Sequence, residues 1–508
     1  MTQAVKIKSA LISVYYKDNL EPIIRKLSEF GVHLISTGGT YDFISSLGIA
    51  CEKVENITGF PAILGGRVKT LDPHVFGGIL ARRDNEIDWV ELAQHKIDTI
   101  DLVIVDLYPF EETLSKTDEE QEIIEKIDIG GISLIRAAAK NFKDVLVCAS
   151  RDEYPAVLEL LTNKNGVTEI GDRQLFASKA FSVTSNYDTT IFNYFNTTTR
   201  LPVFKKSVHQ SRVLRYGENP HQQGIFYGNL NELLEQFHGK ELSFNNLVDV
   251  HAAMELIKEF DAPTFAVIKH TNSCGVASDE NLSEAWKKAL AGDPVSAFGG
   301  VIITNRKIDE ATAKLVNDLF LEILIAPDYD ASALEILKSK KNRIILQQKK
   351  NLPEGKQFKN ILNGVIEQDE DLKTDTATEF KVATEKSPEK NQLADLEFAS
   401  KVCKHLKSNT VTLVRNQQLL SMGCGQTSRV DALKQAIEKA KNFGFDLKNS
   451  VMASDAFFPF PDCVQIAGEA GVTAVIQPGG SVKDKDSIDY CNQHNMAMVF
   501  TGTRHFKH

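Results

Sequence analysis

The chain has 508 residues, of which 42% are hydrophobic and 25% are charged, a composition typical of globular proteins with about two to four domains. Its formal net charge of −10 argues against a surface that holds nucleic acid non-specifically. No run reaches the roughly 18 apolar residues that a membrane span needs, and the N-terminal residues lack the pattern of a signal peptide. We therefore expect a soluble, cytoplasmic protein that binds neither nucleic acid nor membrane.

The seven cysteines are scattered, and none forms a C-x-x-C motif. This spacing suggests neither a zinc ribbon nor a disulfide framework, so we expect reduced thiols and no metal site. The sequence also lacks a Walker A motif and the G-x-G-x-x-G fingerprint, which leaves ATP-loop and dinucleotide-binding interpretations without their usual support.

The first 200 or so residues alternate apolar strands with amphipathic helical patterns. This alternation predicts an α/β fold with a parallel sheet covered by helices. The strand candidates are residues 9–14, 32–37, 101–107 and 144–150. Parallel sheets bind ligands in the loops beyond the carboxyl ends of their strands. The loops of interest are therefore residues 36–40, 65–73 and 108–110.

These loops contain groups suited to a phosphorylated ligand. The sequence "STGGT" at 36–40 supplies hydroxyls, glycines and free backbone N–H groups where a strand meets a helix, a chemistry that cradles phosphate. The segment 65–73 adds Arg67, Lys69 and Thr70. Asp128 precedes a Gly-Gly turn and a helical pattern that extends to Lys140, a lysine that by itself is typical of an exposed helix surface.

The stretch 195–212 is polar, rich in threonine and interrupted by a proline, a composition typical of a linker between domains. We assign residues 1–198 to a first domain, 199–212 to a linker and 213–508 to a second domain. Within the second domain, the highly charged segment 366–395 is expected to form a surface excursion.

The second domain also repeats itself. Residues 273–290 and 423–440 share a Cys-Gly turn, a polar step and an amphipathic helix. The segments that follow, 293–300 and 454–460, are again similar in character. The pattern predicts two structurally related halves, with a site between them as the default location.

Lys269 and His270 stand side by side at the end of the apolar run "TFAVI". A surface Lys-His pair is usually only solvated, but the end of a buried strand is a place where loops carry function. Histidine exchanges protons near neutral pH, and a neighbouring lysine can hold negative charge that develops on a substrate oxygen.

Three further turns of this domain carry polar groups. Arg215 and Tyr216 precede a turn and are suited to clamping a phosphate or stacking on a base. Asn409 lies ahead of a predicted strand, where its side chain can hold an amide or formyl oxygen, and Arg429 ends the sequence "GQTSR". Each alone is typical of an exposed loop, and together they predict a site along the strand ends.

The ordered series "STGGT", "GGRVKTL", "LYPF", "IDIGG", "RAAAKN", "LRYGENPHQ", "KHTNSCG", "GQTSR", "SDAFFPF" and "TRHF" spans nearly the whole chain. It resembles the bifunctional purine biosynthesis family that joins AICAR transformylase to IMP cyclohydrolase. The resemblance implies an N-terminal methylglyoxal-synthase-like parallel sheet domain followed by a transformylase region of two cytidine-deaminase-like α/β halves.

The resemblance also implies two reactions. The second domain transfers a formyl group from 10-formyltetrahydrofolate to the 5-amino group of AICAR, giving FAICAR, and the first domain closes FAICAR to IMP with loss of water. The folate is a co-substrate, with no tightly bound cofactor and no metal. The family further implies a homodimer with transformylase sites at its interface.

Residue roles are carried over by matching motifs. For formyl transfer, His270 matches the base that deprotonates the amine, and Lys269 and Asn409 match groups that stabilise the oxyanion. The positions that match the nucleotide-binding residues are Arg215, Tyr216, Gly299, Glu322, Arg429, Phe457 and Arg504. The positions on the folate side are Asp462, Gly479 and Gly480.

The first domain is matched in the same way. The family's catalytic or positioning groups for ring closure match Lys69, Tyr108, Asp128 and Lys140, with Lys140 as a proton donor or acceptor. The nucleotide pocket matches Ser13, Lys17, Ser36, Thr37, Gly38, Gly39, Arg67 and Thr70.

Several positions depart from the family pattern. Asp106 stands where the family carries asparagine, Asp72 and Phe76 stand where histidines are usual, and Tyr15 with Tyr16 replaces a "SD" pair. All of these lie in the first domain, where an added carboxylate is expected to weaken binding of a nucleotide phosphate. Ser273, where proline is common, is expected to alter only the stiffness of a turn.

Two alternatives stay open. A zinc deaminase would share the expected subdomain fold, but it needs H-x-E and P-C-x-x-C motifs to hold and use its metal. A non-catalytic nucleotide sensor is the alternative for the first domain, because of its departures from the family pattern.

Overall fold

The computed structural model describes residues 4–508, which divide into two units between His209 and Gln210. The boundary lies inside the segment 199–212 that the sequence analysis assigns to a linker. None of the helices in the described residues is both long and apolar enough to cross a membrane.

The first unit is built on a five-stranded sheet whose neighbouring strands are all parallel, in the order β4-β3-β2-β5-β6. The strands of this unit are β1 (Val5–Lys6), β2 (Ser9–Ser13), β3 (His33–Ser36), β4 (Glu52–Lys53), β5 (Leu102–Val105), β6 (Leu146–Cys148) and β7 (Val167–Thr168). Strands β1 and β7 lie outside the sheet and form a separate antiparallel pair. Its helices are α1 (Glu21–Glu29), α2 (Gly38–Ser46), α3 (Val54–Thr58), α4 (Pro73–Leu80), α5 (Glu86–His95), α6 (Phe110–Leu114), α7 (Glu120–Ile124), α8 (Gly130–Lys140), α9 (Tyr154–Asn163) and α10 (Ile170–Thr199).

The four strands predicted from apolar runs are confirmed as β2, β3, β5 and β6. Every residue of β5 and β6 is buried, because helices cover both faces of the sheet. Uniform burial explains why these strands show continuous apolar runs and no alternation. The arrangement leaves the carboxyl ends of the strands free to support loops.

The second unit contains a twelve-stranded sheet. The strands of this unit are β8 (Ser211–Val213), β9 (Ile225–Tyr227), β10 (Leu234–His238), β11 (Thr264–Lys269), β12 (Asn272–Ser278), β13 (Val301–Thr304), β14 (Ile323–Ala326), β15 (Ile344–Gln348), β16 (Lys356–Ile361), β17 (Gly364–Asp369), β18 (Lys381–Val382), β19 (Val411–Arg415), β20 (Gln418–Gly423), β21 (Ser450–Ser454), β22 (Val472–Gln477) and β23 (Ala497–Phe500). Strands β8 and β9 form a separate antiparallel pair, as do β16 and β17, and the other twelve make up the large sheet. Its helices are α11 (Phe244–Ile257), α12 (Leu282–Ala291), α13 (Glu310–Asn317), α14 (Ala331–Lys338), α15 (Lys390–Lys404), α16 (Arg429–Asn442), α17 (Asp462–Glu469) and α18 (Asp484–Gln493).

The order of the large sheet is symmetric about its centre: β10-β15-β14-β13-β11-β12-β20-β19-β21-β22-β23-β18. Each half has a helix, an antiparallel hairpin, and then three parallel strands joined through helices. In the first half these are α11, β11–β12 and β13–β14–β15, and in the second half α15, β19–β20 and β21–β22–β23. The two halves meet where β12 pairs with β20. The order of elements is thus repeated, but the predicted Cys-Gly turn is not: Cys274 and Gly275 lie within β12, whereas Cys424 and Gly425 lie in the loop after β20.

The segment 366–395, expected as a surface excursion, is exposed only in part. It begins in β17, where every residue is exposed, but Asp375 is buried and accepts a hydrogen bond from Ser400 at 2.8 Å. Its last residues start α15, where Asp395 is buried. The charged composition suggested exposure, and the correction is that both buried carboxylates find hydrogen-bond partners within the fold.

Candidate active sites

In the first unit, the carboxyl ends of β2 and β3 bring hydroxyl groups together. The hydroxyl oxygens of Ser13 and Thr37 are 3.0 Å apart, and Ser36 donates to the carbonyl of Ile12 at 2.6 Å. Thr37 is followed by Gly38, whose φ of 44° lies in the left-handed region that favours glycine. The chain can therefore turn directly from β3 into α2 and point free N–H groups over the strand ends.

Two lysines approach the start of α2. A Cβ atom built on Gly38 would lie 3.7 Å from the Lys69 ammonium nitrogen, and one built on Gly39 would lie 4.0 Å from that of Lys17. Backbone N–H groups at a helix N-terminus together with two cations form a favourable environment for an anion. The predicted phosphate-binding residues of this loop are thus close in space, although 30 residues separate Lys69 from Gly39 along the chain.

Asp128 lies at the start of α8, beside the same loops. A Cβ on Gly130 would lie 3.2 Å from the Thr70 hydroxyl, and the Asp128 carboxylate accepts the Gly131 N–H at 2.6 Å. Burial raises the pKa of Asp128, against the opposing effect of backbone N–H donors from Gly131 and Tyr108. Burial also raises the pKa of Tyr108, and the negative charge of Asp128 adds to this. The electrostatic effect of Asp128 on Tyr108 shows that the two side chains are close to each other, and Gly130 at the start of α8 lies beside Thr70.

Two residues predicted for this site, Arg67 and Lys140, lie on the exposed surface. Arg67 is exposed and forms an ion pair with Glu125. Lys140 is the exposed last residue of α8, and since that helix has 11 residues, its Cα lies about 15 Å from that of Gly130. Asp128 and Lys140 thus stand near opposite ends of α8, and the role of Lys140 in ring closure stays a prediction.

Three of the residues that depart from the family pattern, Asp106, Asp72 and Phe76, have structural explanations. Asp106 is buried, and its carboxylate accepts hydrogen bonds from the backbone N–H groups of Tyr15 and Tyr16. Asp72 caps α4 by accepting the His74 N–H at 2.8 Å, and Phe76 packs against the apolar core. Each of these side chains therefore has a role in holding local structure.

In the second unit, Lys269 ends β11 and Asn272 begins β12, so His270 and Thr271 form a two-residue hairpin loop. Their φ angles are 51° and 65°, a geometry that in such loops usually requires Asn or Gly. The half-buried carboxylate of Asp249 on α11 accepts the Thr271 N–H at 2.7 Å. Asn272 donates to the carbonyl of His270 at 3.0 Å. This network holds the exposed His270 in an uncommon backbone conformation, which is typical of functional sites.

Lys269 extends across the neighbouring strand of the sheet. Its ammonium donates to the carbonyl of Phe298 at 2.7 Å, and a Cβ on Gly299 would lie 3.4 Å from the same nitrogen. Gly299 also has a φ of 68°. Lys269 is therefore held by the segment before β13, whereas the His270 loop is held by α11. The Phe298 carbonyl uses one of the three N–H donors of the Lys269 ammonium.

Asn409 lies across from His270 on the same edge of the sheet. Lys407, two residues before Asn409, donates its N–H to Asn272 at 3.2 Å. The Asn409 amide donates to the carbonyls of Gln426 and Thr427, and its oxygen accepts from Arg429 at 2.9 Å. The turn after β20 thus fixes the orientation of the Asn409 side chain.

Arg429 is the centre of a buried polar network. Its guanidinium donates to the Asp455 carboxylate at 2.9 Å and to the carbonyl of Phe457 at 3.1 Å. Asp455 is 2% exposed. The arginine holds Asn409 and the Phe457 loop together, so its guanidinium is a positioning group in this structure, in addition to the nucleotide-binding role predicted for it.

Glu322, Arg215 and Tyr216 are the other residues of the first half that were predicted to bind the nucleotide. Burial raises the pKa of Glu322, but hydrogen bonds from Lys240 and Asn246 outweigh that effect, and the net pKa is lowered. Glu322 lines a cleft of about 540 Å³ together with Lys240 and Phe320. Arg215 and Tyr216 contact each other at 2.9 Å, and their loop is joined to α11 by a hydrogen bond from Asn245 to the carbonyl of Glu218.

The folate-side residues follow the ends of β21 and β22, and Arg504, which is predicted to bind the nucleotide, follows β23. Asp462 is the first residue of α17, and Gly479 and Gly480 have φ angles of 73° and 98°. A Cβ on Gly479 would meet the Phe500 ring at 3.0 Å. Arg504 is exposed, with its guanidinium 4.4 Å from the centre of the Phe506 ring. In the second half these groups lie at the same edge of the sheet as Asn409.

Asp249 and Asp455 are functional-site residues that no sequence motif indicates. Asp249 is one of two carboxylates, with Glu255, in the mostly apolar helix α11, and its place among apolar residues is the sequence feature that could have indicated it. Asp455 stands beside Phe457 in a segment that had been singled out, but its partner Arg429 is 26 residues away. Neither partner could be identified from spacing along the chain.

A zinc deaminase would need a cluster of metal-ligating side chains. Across residues 4–508, no group of three or more His, Cys, Asp or Glu side chains is arranged to hold a metal ion. The zinc-deaminase alternative therefore has no candidate ligand set in the described part of the chain.

A parallel-sheet unit with glycines and two lysines at a helix start, followed by a duplicated unit with a turn-borne Lys-His pair, defines a two-unit α/β protein with a candidate site in each unit. The family model "AICARFT/IMPCHase bienzyme" matches residues 138–439, and the model "MGS-like domain" matches residues 19–133. The chain belongs to the PurH family of bifunctional purine biosynthesis proteins. It is a bifunctional enzyme with AICAR transformylase and IMP cyclohydrolase activities, the last two steps of IMP biosynthesis.

Named relatives match over their full length. The chain is 57% identical over 508 residues to the bifunctional purine biosynthesis protein PurH of Bacteroides thetaiotaomicron, covering 100% of both chains. It is 46% identical over 517 residues to PurH of Acetivibrio thermocellus, covering 99% of this chain and 100% of the relative. PurH of Aquifex aeolicus is 46% identical over 509 residues, with coverage of 98% and 100%.

Proposed function

We propose that formyl transfer takes place at the sheet edge around Lys269, His270 and Asn409, and ring closure at the loops around Lys69, Tyr108 and Asp128. The observation that carries this proposal is the hairpin loop of His270, which fixes an exposed proton acceptor beside an ammonium group. Both substrates are small molecules, a nucleotide and a folate.

In the transformylase reaction, the AICAR amine is a poor nucleophile because its lone pair is delocalised into the imidazole ring. His270 accepts the amine proton as the nitrogen attacks the formyl carbon of 10-formyltetrahydrofolate. The negative charge that develops on the formyl oxygen is stabilised by the Lys269 ammonium, which has donors to spare beyond its bond to Phe298. The intermediate then collapses: the bond between the formyl carbon and N10 breaks, N10 takes up the proton that His270 accepted, and tetrahydrofolate leaves.

Asn409 contributes to the same charge stabilisation by exchanging one of its amide hydrogen bonds. Its amide group donates to the carbonyls of Gln426 and Thr427 at 3.0 and 3.2 Å. The longer of the two is the bond that we expect to be exchanged for the oxyanion. Arg429 would keep the side chain oriented throughout, through its bond to the Asn409 oxygen.

In the cyclohydrolase reaction, the carboxamide nitrogen of FAICAR attacks its own formyl carbon, and water is lost. Ser13, Thr37, Lys17 and the N–H groups of Gly38 and Gly39 supply donors for the nucleotide phosphate. Tyr108 and Asp128, whose pKa values are both raised by burial, are suited to proton transfer during closure and dehydration. Lys69 then stabilises negative charge on the departing oxygen.

Further parts of the proposal concern the setting of the enzyme. We infer that 10-formyltetrahydrofolate is a co-substrate without a tightly bound cofactor, that Asp462, Gly479 and Gly480 border its site, and that the protein works in the cytoplasm. We also propose a homodimer with its transformylase sites at the interface. Family membership supports these inferences, and sedimentation of the purified protein tests the dimer.

The decisive experiment supplies AICAR and 10-formyltetrahydrofolate and measures tetrahydrofolate and IMP together. Both products are expected. Tetrahydrofolate with accumulating FAICAR would support the nucleotide-sensor alternative for the first unit, whereas neither product would contradict both catalytic assignments. Supplying FAICAR directly separates the two reactions, because IMP can then form without the second unit.

A further inference from the structure

The loop after β2, residues 14–17, is held by a carboxylate from another strand. Asp106 follows β5, and its two carboxylate oxygens accept the backbone N–H groups of Tyr15 and Tyr16, the latter at 3.0 Å. Asp106 is 9% exposed, so both oxygens are largely removed from water. A carboxylate can accept at two oxygens, whereas an asparagine amide offers one acceptor and one donor. The loop conformation therefore matches an acid at position 106.

The two tyrosines of this loop contact different groups. The Tyr15 ring packs edge-on against the Tyr108 ring, with centroids 5.7 Å apart and an interplanar angle of 79°. The Tyr16 hydroxyl instead donates to Glu112 at 2.8 Å, and its ring lies 4.3 Å from the Arg151 guanidinium. Only Tyr15 touches a residue of the proposed cyclohydrolase site.

The same loop fixes a lysine. The Lys17 ammonium donates to the carbonyls of Val14 and Tyr15, both at 2.8 Å, and lies 4.0 Å from the Cβ position of Gly39. Its position beside the start of α2 thus depends on the path of residues 14–16. Release of the loop would move both the Tyr15 ring and the Lys17 ammonium.

We propose that Asp106 and Tyr15 are positioning residues for ring closure: Asp106 fixes the loop 14–17, Tyr15 holds the Tyr108 ring, and Lys17 is thereby directed at the nucleotide phosphate. This inference rests on the proposed cyclohydrolase site. It also changes the expectation for Asp106, whose charge is bound by the loop and does not face an incoming phosphate as a free carboxylate.

The test uses the full-length enzyme and FAICAR as substrate. Asp106→Asn replaces one acceptor by an NH₂ group that faces an N–H donor, so we expect KM for FAICAR to rise and kcat to fall, with kcat/KM reduced at least about tenfold. Tyr15→Ser removes the ring that packs on Tyr108 and should lower kcat about three- to tenfold. Tyr15→Phe keeps that packing and should retain the wild-type kcat.

Tyr16→Phe is the matched control, because it removes a hydroxyl bonded only to Glu112 and should leave both kinetic constants unchanged. Thermal unfolding and the transformylase rate of each variant show whether it is folded. The proposal is overturned if Asp106→Asn and Tyr15→Ser keep wild-type kcat and KM, or if Tyr16→Phe impairs ring closure as much as Tyr15→Ser. Absence of IMP formation by the wild type would instead contradict the proposed function itself.

Discussion

The carboxylate of Asp249 accepts the backbone N–H of Thr271 at 2.7 Å and so fixes the turn that presents His270. The second half of the same unit contains the equivalent bond pattern. There Asp395 on α15 accepts the N–H groups of Asn416 and Gln417 at 2.9 and 2.7 Å, in the hairpin loop between β19 and β20. One structural device therefore occurs twice, but only one of its two loops carries a histidine.

Asp249→Asn is expected to loosen the His270 turn. Replacing a charged acceptor by an amide weakens the bond to Thr271, and we expect a transformylase kcat/KM about tenfold lower, since such bonds contribute about 1.5–3 kcal/mol. Steady-state kinetics with AICAR and 10-formyltetrahydrofolate measures this effect.

Asp395→Asn is the matched control for that variant. Its loop lies at the opposite edge of the sheet, because β12 and β20 run antiparallel and Ser278 bonds to Gln417. We expect a comparable loss of stability with transformylase kcat unchanged. Equal kinetic losses in the two variants would mean that Asp249 acts on the fold and has no particular effect on His270.

His270→Ala is expected to lower transformylase kcat by about 10²- to 10⁴-fold, the usual contribution of a positioned general base. IMP formation from supplied FAICAR should continue at the wild-type rate, because ring closure is assigned to the other unit. A transformylase that keeps its activity without His270 would remove the histidine from the mechanism.

Lys69→Met gives the reciprocal result. The variant keeps most of the length of the unbranched side chain but removes the ammonium beside Gly38, so FAICAR should accumulate while tetrahydrofolate release continues. We expect cyclohydrolase kcat/KM to fall at least about 10²-fold, as for loss of one electrostatic contact in a transition state. Unchanged IMP production would place ring closure elsewhere.

His505 predicts a pH dependence of stability. Burial lowers its pKa, but hydrogen bonds to Asp371 and Asp375 outweigh that effect and raise the pKa to about 9. Because this value lies above the unfolded value of about 6.5, protonated His505 stabilises the fold fully below about pH 6.5. That contribution, of order 1–3 kcal/mol, is lost as the pH rises through about 9.

Denaturant unfolding of the wild type and of His505→Asn, followed between pH 6 and pH 9.5 or so, measures this contribution. Trp286 is buried in the second unit, so its fluorescence reports on that unit, whereas the only other tryptophan, Trp89, lies in the first. The difference in unfolding free energy between the two proteins should shrink as the pH rises. A difference that is constant over this range would exclude a protonated His505 from the stability of the fold.

Sequence reasoning worked best where one local pattern determined the outcome. The apolar run 264–268 indicated a buried strand, and the strand end then indicated the position of Lys269 and His270. The four parallel strands of the first unit were found for the same reason. Continuous burial on two faces leaves a signature within each strand that needs no knowledge of its neighbours.

Contacts between distant segments could not be obtained in this way. The bonds of Asp249 to Thr271 and of Arg429 to Asp455 depend on how helices and strands pack, and no spacing in the sequence encodes them. Asp106 was noticed as an unusual residue, but its effect was expected to be repulsion of a phosphate. The structure shows that two backbone N–H groups already occupy its carboxylate, which only the path of the loop 14–17 could reveal.

The two outer strands of the large sheet differ from those inside it. β18 has only two residues, and the pairing of β10 with β15 shifts register between Gln236 and His238. A long, regular outer strand would offer unpaired N–H and C=O groups to another molecule and promote intermolecular strand pairing. A brief strand at one margin and an irregular one at the other limit such pairing, so insertions that lengthen β18 should favour aggregation even when both catalytic sites remain intact.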